Sequence, residues 1–189
     1  ARSFVPNPWR GTNLFQEACW AWRRVPVPVV AAVHGHCYGG GLQIALAADL
    51  RFTTADAQWS VLEAKWGLVP DMSGIQALYQ QVRMDVAKRL TMTGEVVSGE
   101  RAVDLGLASE VHADPVAAAT AFIEQVATRS PDAVAATKRL FGRTWSSSDR
   151  RTFARERIEQ AKLLATKNTT IAREAAMKRA VPAFDPRRR

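Results

Sequence analysis

The sequence predicts an α/β core at residues 1–111, followed by a helical and basic segment at residues 112–189. Val27–Val33 is a short apolar, β-branched run without a helical period, which indicates a strand buried on both faces. The glycine run 39–41 follows, and residues 42–48 are good helix formers without a breaker. A strand, a glycine turn and a helix in succession are typical of an α/β protein.

The other elements of the predicted core follow from apolar spacing and from turn residues. Residues 1–13 contain prolines and a glycine and are expected to form a loop. Apolar residues recur at helical spacing from Thr12 or Asn13 to Arg24, which predicts an amphipathic helix. Beyond the glycines, the patterns predict strands at 49–54, 58–61 and 107–111, and helices at 75–83, 85–92 and 98–106.

The C-terminal segment carries clear helix-start signals. Asp114-Pro115 and Ser130-Pro131 each place a capping side chain directly before a proline, which favours two helices from these points. A third helix is expected to begin at 146–149, and residues 168–170 are expected to separate it from a last one before Pro182.

Length and composition favour a single domain with one core, in a reducing compartment. The chain has 189 residues, of which 47% are apolar, enough for one substantial core. Cys19 and Cys37 stand far from any disulfide or metal spacing, so we expect a cytoplasmic protein. No apolar stretch reaches spanning length, so no membrane partner is expected. The chain starts at Ala1 rather than at a methionine, and we expect the natural N-terminus to lie upstream.

The net charge of +8 is concentrated in the C-terminal part. Residues 129–189 hold 16 Lys and Arg against 6 Asp and Glu, a net +10, whereas residues 1–128 hold 10 against 12, a net −2. This excess is either a solvated helix surface or a contact for an anion such as a ligand phosphate or nucleic acid. The basic helices offer no interleaved aromatic platform on which bases could stack, so we do not expect a nucleic-acid partner.

The glycine run does not match the common nucleotide loops or a metal site. Gly35 stands four residues before Gly39, which rules out a GxGxxG fingerprint, and no Lys-Ser or Lys-Thr pair follows as in a P-loop. His34, His36 and Cys37 crowd onto one turn without a fourth ligand, so no metal is expected and His36 lines or packs the turn. Gly40 opens a helix, however, and unpaired N–H groups at a first helical turn can hold an anion or a developing oxyanion.

The stretch 29–71 resembles the signature region of the crotonase, or enoyl-CoA hydratase/isomerase, superfamily. The shared order is a strand, three glycines, a helix ending in Ala-Asp, a strand, and a Glu followed by Gly and then Pro. The resemblance implies a crotonase-like β-β-α spiral with a helical C-terminal trimerisation segment, assembled as a homotrimer or a hexamer. It also implies an acyl-CoA thioester substrate and no separate cofactor, because coenzyme A is part of the substrate.

The resemblance further implies roles for particular residues. Gly40 would supply one oxyanion donor, while nothing in residues 1–13 matches the family loop that carries the second. Glu63 matches a family catalytic Glu, Gln43 stands where hydratases carry another Glu, and Asp71 matches an acid of dienoyl-CoA isomerases. Substrate contacts are expected from Gly39, His36, Trp66 and Lys178.

Each of these residues also has a plain structural interpretation. Asp71 fits an N-cap of the next helix, Glu63 an exposed loop carboxylate, and Gln43 an ordinary helix residue. Trp59 and Trp66 fit a core. Lys178, where family members often have a basic contact to the CoA phosphates, fits a solvated helix end.

The Gln at position 43 separates three functional hypotheses. Hydration needs one group that accepts the proton of water and another that protonates carbon, and an amide cannot accept that proton. Isomerisation needs only one carboxylate, so an isomerase acting through Glu63 is favoured. The alternatives are a hydratase with altered water activation and a catalytically weak or inactive module that binds acyl-CoA or assembles with other chains.

Overall fold

A computed structural model describes residues 2–187, which divide into two compact units. The first unit comprises residues 2–24 and 29–119, and the second comprises residues 25–28 and 120–187. The predicted boundary after residue 111 stays a prediction.

The first unit contains short strands and helices joined by tight turns. Its strands are β1 (Val30–Val33), β2 (His36–Tyr38), β3 (Leu50–Thr53), β4 (Gln58–Ser60), β5 (Val97–Ser98) and β6 (Glu110–Val111). Its helices are α1 (Leu14–Arg24), α2 (Gly40–Ala45), α3 (Gly74–Gln81), α4 (Met84–Thr93), α5 (Gly99–Leu105) and the start of α6 (Pro115–Ala127), with 3₁₀ turns at Arg2–Phe4 and Leu62–Trp66.

Two successive β-β-α turns of chain lie side by side. The first is β1-β2-α2, and the second is β3-β4 followed by the 3₁₀ turn and α3. Strand β3 pairs in parallel with β1, with Ala32 opposite Phe52, and β4 pairs in parallel with β2, with Cys37 opposite Trp59. Strand β6 adds to β3 in parallel and β5 to β4 in antiparallel, which gives the sheet orders β1-β3-β6 and β2-β4-β5.

The core of the first unit lies where the helices pack against the two sheets. Burial of large apolar side chains is the main stabilising contribution there. The largest fully buried apolar side chains are Trp59, Leu42, Leu46, Leu78, Leu90, Leu107 and Val61.

The second unit is helical. It contains the rest of α6 together with α7 (Pro131–Thr144), α8 (Asp149–Leu164) and α9 (Lys167–Lys178). Arg139 on α7 forms a two-bond ion pair with the buried Glu159 on α8, at 2.6 and 3.3 Å. Within residues 2–187, no helix combines the length and apolar character that crossing a membrane requires.

Three predictions about secondary structure were wrong. The strand expected at Val27–Val33 is shorter, and only Val33 on β1 is buried, at 8% exposure. A separate strand, β2, stands between β1 and the glycines, so the helix does not follow the first strand directly. Residues 168–170 do not separate the last two helices but belong to α9, which begins at Lys167. Thr166 caps this helix by accepting from the Thr169 N–H.

Candidate active site

The turn into α2 presents a free backbone donor. Gly39 has φ +50° and ψ −121°, a conformation that favours glycine, and its N–H donates to the Ser60 carbonyl at 3.0 Å. The Gly40 N–H then opens the first helical turn and has no acceptor within residues 2–187. This N–H can donate to an incoming carbonyl oxygen.

A buried pair of polar side chains lies directly behind this turn. Gln43 on α2 is 1% exposed and Glu63 on the 3₁₀ turn is 8% exposed. The Gln43 Nε2 donates to Glu63 Oε1 at 2.6 Å. The interpretation of Glu63 as an exposed loop carboxylate is therefore wrong, whereas Gln43 is a buried, hydrogen-bonded residue of α2.

The hydrogen-bond network fixes which way the Gln43 amide faces. Its Oε1 accepts from the backbone N–H groups of Met72 at 2.8 Å and Gly74 at 2.9 Å. An amide nitrogen cannot accept from these donors, so Oε1 must face them and Nε2 must face Glu63. Gln43 thereby presents a donor to the carboxylate.

The second oxygen of Glu63 remains available. Glu63 Oε2 is buried and makes no hydrogen bond within residues 2–187. A Cβ added at Gly39 would lie 3.5 Å from Glu63 Oε1 and 4.0 Å from Oε2, so the carboxylate packs against this glycine. A buried acceptor without a partner is costly, and a catalytic role is one explanation for such a group.

The loop before α3 is tightly constrained around Gln43. Ser73 has φ +70°, which is uncommon for a residue other than glycine. A Cβ at Gly74 would lie only 2.6 Å from Gln43 Oε1, so a larger residue there would displace the amide. This loop therefore holds the amide in one orientation.

Neither cysteine offers an activated thiol. Burial raises the pKa of Cys37, on β2, to about 12, and burial likewise raises the pKa of Cys19, on α1, to about 11. Both thiols are neutral near pH 7 and are poor nucleophiles. Of the two side chains in the buried pair, Gln43 is an amide and Glu63 is a carboxylate, so Glu63 is the one that can take up and release a proton.

The other predicted site residues do not join the pair. Within residues 2–187, Asp71, His36 and Trp66 make no hydrogen bond to Glu63 or Gln43. Asp71 is exposed, and it does not cap α3, because Ser73 occupies the N-cap position.

The predicted contact residues lie on exposed surfaces. The exposed His36 ring packs beside Tyr38 at a centroid distance of 5.1 Å. Trp66 is 68% exposed, so the core interpretation is wrong for it. That interpretation is confirmed for Trp59, which is fully buried. Lys178 is the exposed last residue of α9 in the second unit.

The sequence did not indicate Met72 or Gly74. Both contribute through backbone N–H groups, which carry no residue-specific signal. The Ser-Gly pair at 73–74 was the available hint, because such a pair favours a turn with unusual dihedral angles.

Comparison with known proteins places the chain in a known enzyme family. The sequence model of the enoyl-CoA hydratase/isomerase family matches residues 12–185, and the chain belongs to this family. Membership confirms the crotonase resemblance and the α/β spiral fold that it implied.

Curated relatives match the chain over more than half of its length. An (E)-benzylidenesuccinyl-CoA hydratase of Thauera aromatica is 39% identical over 114 residues, covering 59% of this chain and 44% of that relative. A carnitinyl-CoA dehydratase of Proteus mirabilis is 33% identical over 119 residues, covering 62% and 46%. The chain therefore spans less than half the length of these curated relatives.

Solved structures agree over most of the chain. An enoyl-CoA hydratase from Polaromonas sp. JS666 superposes with a TM-score of 0.85 at 29% identity, covering 90% of this chain and 67% of that one. An enoyl-CoA hydratase from Mycobacterium tuberculosis H37Rv gives 0.84 at 30% identity, covering 93% and 69%.

Proposed function

We propose that this chain isomerises an enoyl-CoA thioester, with Glu63 as the single base. The observation that carries the proposal is the buried Glu63 carboxylate, which is held at one oxygen by Gln43 and free at the other. Family membership supports a CoA thioester as the substrate.

The Gly40 N–H would stabilise the negative charge that develops on the thioester oxygen. A carbonyl oxygen placed at this N–H becomes an enolate oxygen when a proton leaves C2. A donor already in place strengthens its interaction as that charge grows, which lowers the barrier to proton removal.

Glu63 would move the proton. In a 3-enoyl-CoA, Oε2 takes the proton from C2, and the C2–H electron pair enters the enolate. When the enolate returns to the thioester, a double bond forms between C2 and C3, and the electron pair of the former C3–C4 double bond takes up the proton at C4. The product is the conjugated 2-enoyl-CoA. The same carboxylate can accept and return this proton, so the reaction needs no second acid or base.

The hydrogen bonds of Gln43 support isomerisation over hydration. The Met72 and Gly74 N–H groups use both acceptor positions of Gln43 Oε1, and Nε2 is a donor. Gln43 therefore has no free lone pair to receive the proton of an attacking water molecule. Its geometry fits a residue that holds Glu63 in place.

A hydratase is the second candidate. The names of the curated relatives, a hydratase and a dehydratase, favour reactions of water. Asp71 lies next to Met72 and is exposed, and its carboxylate forms no ion pair within residues 2–187, which leaves it able to assist a water molecule. In a hydratase of this kind, Asp71 would take the role that Gln43 cannot perform.

Other parts of the proposal rest on the family alone. Gly39, His36, Trp66 and Lys178 are proposed contacts of the CoA ester, with the Lys178 ammonium directed to a phosphate. We also propose a homotrimer or hexamer assembled through the helical unit, and a cytoplasmic location.

A paired assay with matched variants tests the assignment. A 3-enoyl-CoA and a 2-enoyl-CoA are offered to the protein, to Glu63→Gln and to Glu100→Gln, a control at an exposed position on α5. The new amide in Glu63→Gln keeps an oxygen that accepts from Gln43, so the site should stay intact and still bind the CoA ester. We expect isomerisation to fall by about 10²–10⁴-fold in Glu63→Gln and to be unchanged in the control.

Other outcomes discriminate between the hypotheses. Hydration of the 2-enoyl-CoA that exceeds isomerisation and disappears in Asp71→Asn would favour the hydratase. Binding of both esters without turnover would favour the non-catalytic module. Equal loss of binding and turnover in Glu63→Gln would show that Glu63 is needed for the integrity of the site and not for the proton transfer.

A further inference from the structure

The Met72 side chain packs directly against the proposed oxyanion donor. A Cβ built on Gly40 would lie 3.2 Å from the Met72 Sδ and 3.9 Å from its Cε. Given standard bond lengths, the sulfur therefore lies within roughly 6 Å of the Gly40 nitrogen. We therefore expect the carbons next to a thioester oxygen that accepts from this N–H to lie near the thioether.

The backbone of Met72 is fixed, and this fixes where its side chain begins. The Met72 N–H is bonded to Gln43 Oε1, and so is the Gly74 N–H two residues later. Between them, Ser73 holds its left-handed conformation. The Met72 Cα is thus positioned by the same amide that orients Glu63.

We propose that Met72 determines acyl-group specificity at this site, an inference that rests on the proposed function. Glu63 packs against Gly39 and Met72 against Gly40, so the carboxylate and the thioether flank consecutive glycines of one turn. A substituent on C2 or C3 of a bound acyl group must then share space with Met72. The unbranched, polarisable thioether can adapt to a straight chain, but a branch at C2 requires it to move.

Substitution of Met72 tests this role without removing the backbone hydrogen bond to Gln43. Met72→Ala is compared with Met72→Leu, which keeps most of the volume, and with Met92→Ala, a control on α4 where the methionine is 74% exposed. The measured quantity is kcat/KM for a 2-methyl-branched 3-enoyl-CoA divided by that for the straight-chain ester. We expect this ratio to rise about tenfold in Met72→Ala and to change little in Met72→Leu and Met92→Ala.

An unchanged ratio in Met72→Ala, with both rates either retained or lowered equally, would overturn the specificity role. Such a result would leave the proposed isomerase intact, because wild-type turnover and its dependence on Glu63 are measured separately.

A binding measurement keeps the inference testable even without turnover. The chain has four methionines, and Met84, Met92 and Met177 are 66%, 74% and 78% exposed. Protein labelled with ¹³C at the methionine methyl groups is titrated with a saturated acyl-CoA thioester, which keeps the carbonyl oxygen but has no double bond to shift, and Met72→Ala identifies the Met72 signal. We expect the Met72 methyl resonance to move, and to move further with a 2-methyl-branched acyl group.

Two negative outcomes are distinguishable. Ligand binding seen by calorimetry while the Met72 resonance stays in place would overturn this inference alone. Absence of both binding and turnover with every CoA ester would overturn the inference together with the proposed function.

Discussion

Replacing Gln43 by Glu places a second carboxyl group against Glu63 in a buried site. The Gln43 Nε2 lies 2.6 Å from Glu63 Oε1, so the Gln43→Glu variant would bring two carboxyl oxygens to about that distance. Even if the groups relax to about 4 Å, holding both ionised costs about 4 kcal/mol at an effective dielectric constant of about 20. The pair should therefore retain one proton at neutral pH.

The consequence is a stability difference that depends on pH. Glutamates of an unfolded chain ionise near pH 4.3. In the folded variant, a repulsion of about 4 kcal/mol corresponds to about three pH units, so the two carboxyl groups at positions 43 and 63 should keep their shared proton up to about pH 7.3. The unfolded variant thus binds fewer protons than the folded one in this range, and its stability falls as the pH rises. We expect the free energy of unfolding, relative to wild type, to drop by about 4 kcal/mol between pH 4.3 and pH 7.3.

Urea unfolding at several pH values measures this difference. Gln76→Glu, which adds the same charge at an exposed position on α3, is the control and should show little change with pH. A Gln43→Glu penalty that is the same at pH 4.5 and pH 7.5 would refute the reasoning, because it would mean that the two side chains are not in contact.

Two further predictions concern the support of the site and of α1. Gly74→Ala should cost about 1–3 kcal/mol in the free energy of unfolding, because its Cβ would lie 2.6 Å from Gln43 Oε1. Gly142→Ala, with no atom within 4 Å of its Cβ, should cost nothing, and equal effects would contradict the close contact. Hydrogen bonds from Arg24 and Thr12 lower the pKa of Glu17 to about 2, so Glu17→Gln should lose about 1 kcal/mol above pH 4.5. A lowered carboxyl pKa contributes stability at pH values where the carboxylate is ionised, and this contribution disappears as the pH falls towards the folded-state pKa of about 2. The difference between Glu17→Gln and wild type should therefore vanish near pH 2. A difference that persists there would argue against the ion pair.

Local signals predicted most of the helices. Ser98 and Ser130 each accept a backbone N–H three residues ahead, at Arg101 and at Ala133, as expected of capping residues. These interactions depend on neighbours in sequence, so the amino-acid pattern was sufficient to place the helix starts.

Tertiary partners decided the elements that were predicted incorrectly. Strand β2 exists because it pairs with β4, whose partner residues lie 22 positions further along the chain. Residues 168–170 were expected to separate two helices, but the Asn168 side chain bonds to Asp132 and to the Asp185 backbone while its own backbone continues α9. A polar side chain satisfied by distant groups does not compete with the helix backbone.

The geometry around the predicted site residues could not be obtained from the sequence. The resemblance pointed to Glu63 and Gln43 as site residues, which stays a prediction, and the structure brings the two side chains into contact. That the amide faces Glu63 with its nitrogen depends on two backbone donors 29 and 31 residues away, at Met72 and Gly74. Sequence spacing carries no information about such a contact.

Transfer of a labelled proton tests most directly whether Glu63 acts as the single base. A 3-enoyl-CoA carrying deuterium at C2 is incubated with the protein in ordinary water, and the product is analysed by NMR and mass spectrometry. Because Glu63 is shielded from solvent, a single base should deliver part of the deuterium to C4 of a 2-enoyl-CoA, and Glu63→Gln should abolish this product. A 3-hydroxyacyl-CoA as the main product, or deuterium transfer that survives in Glu63→Gln, would contradict one-carboxylate isomerisation.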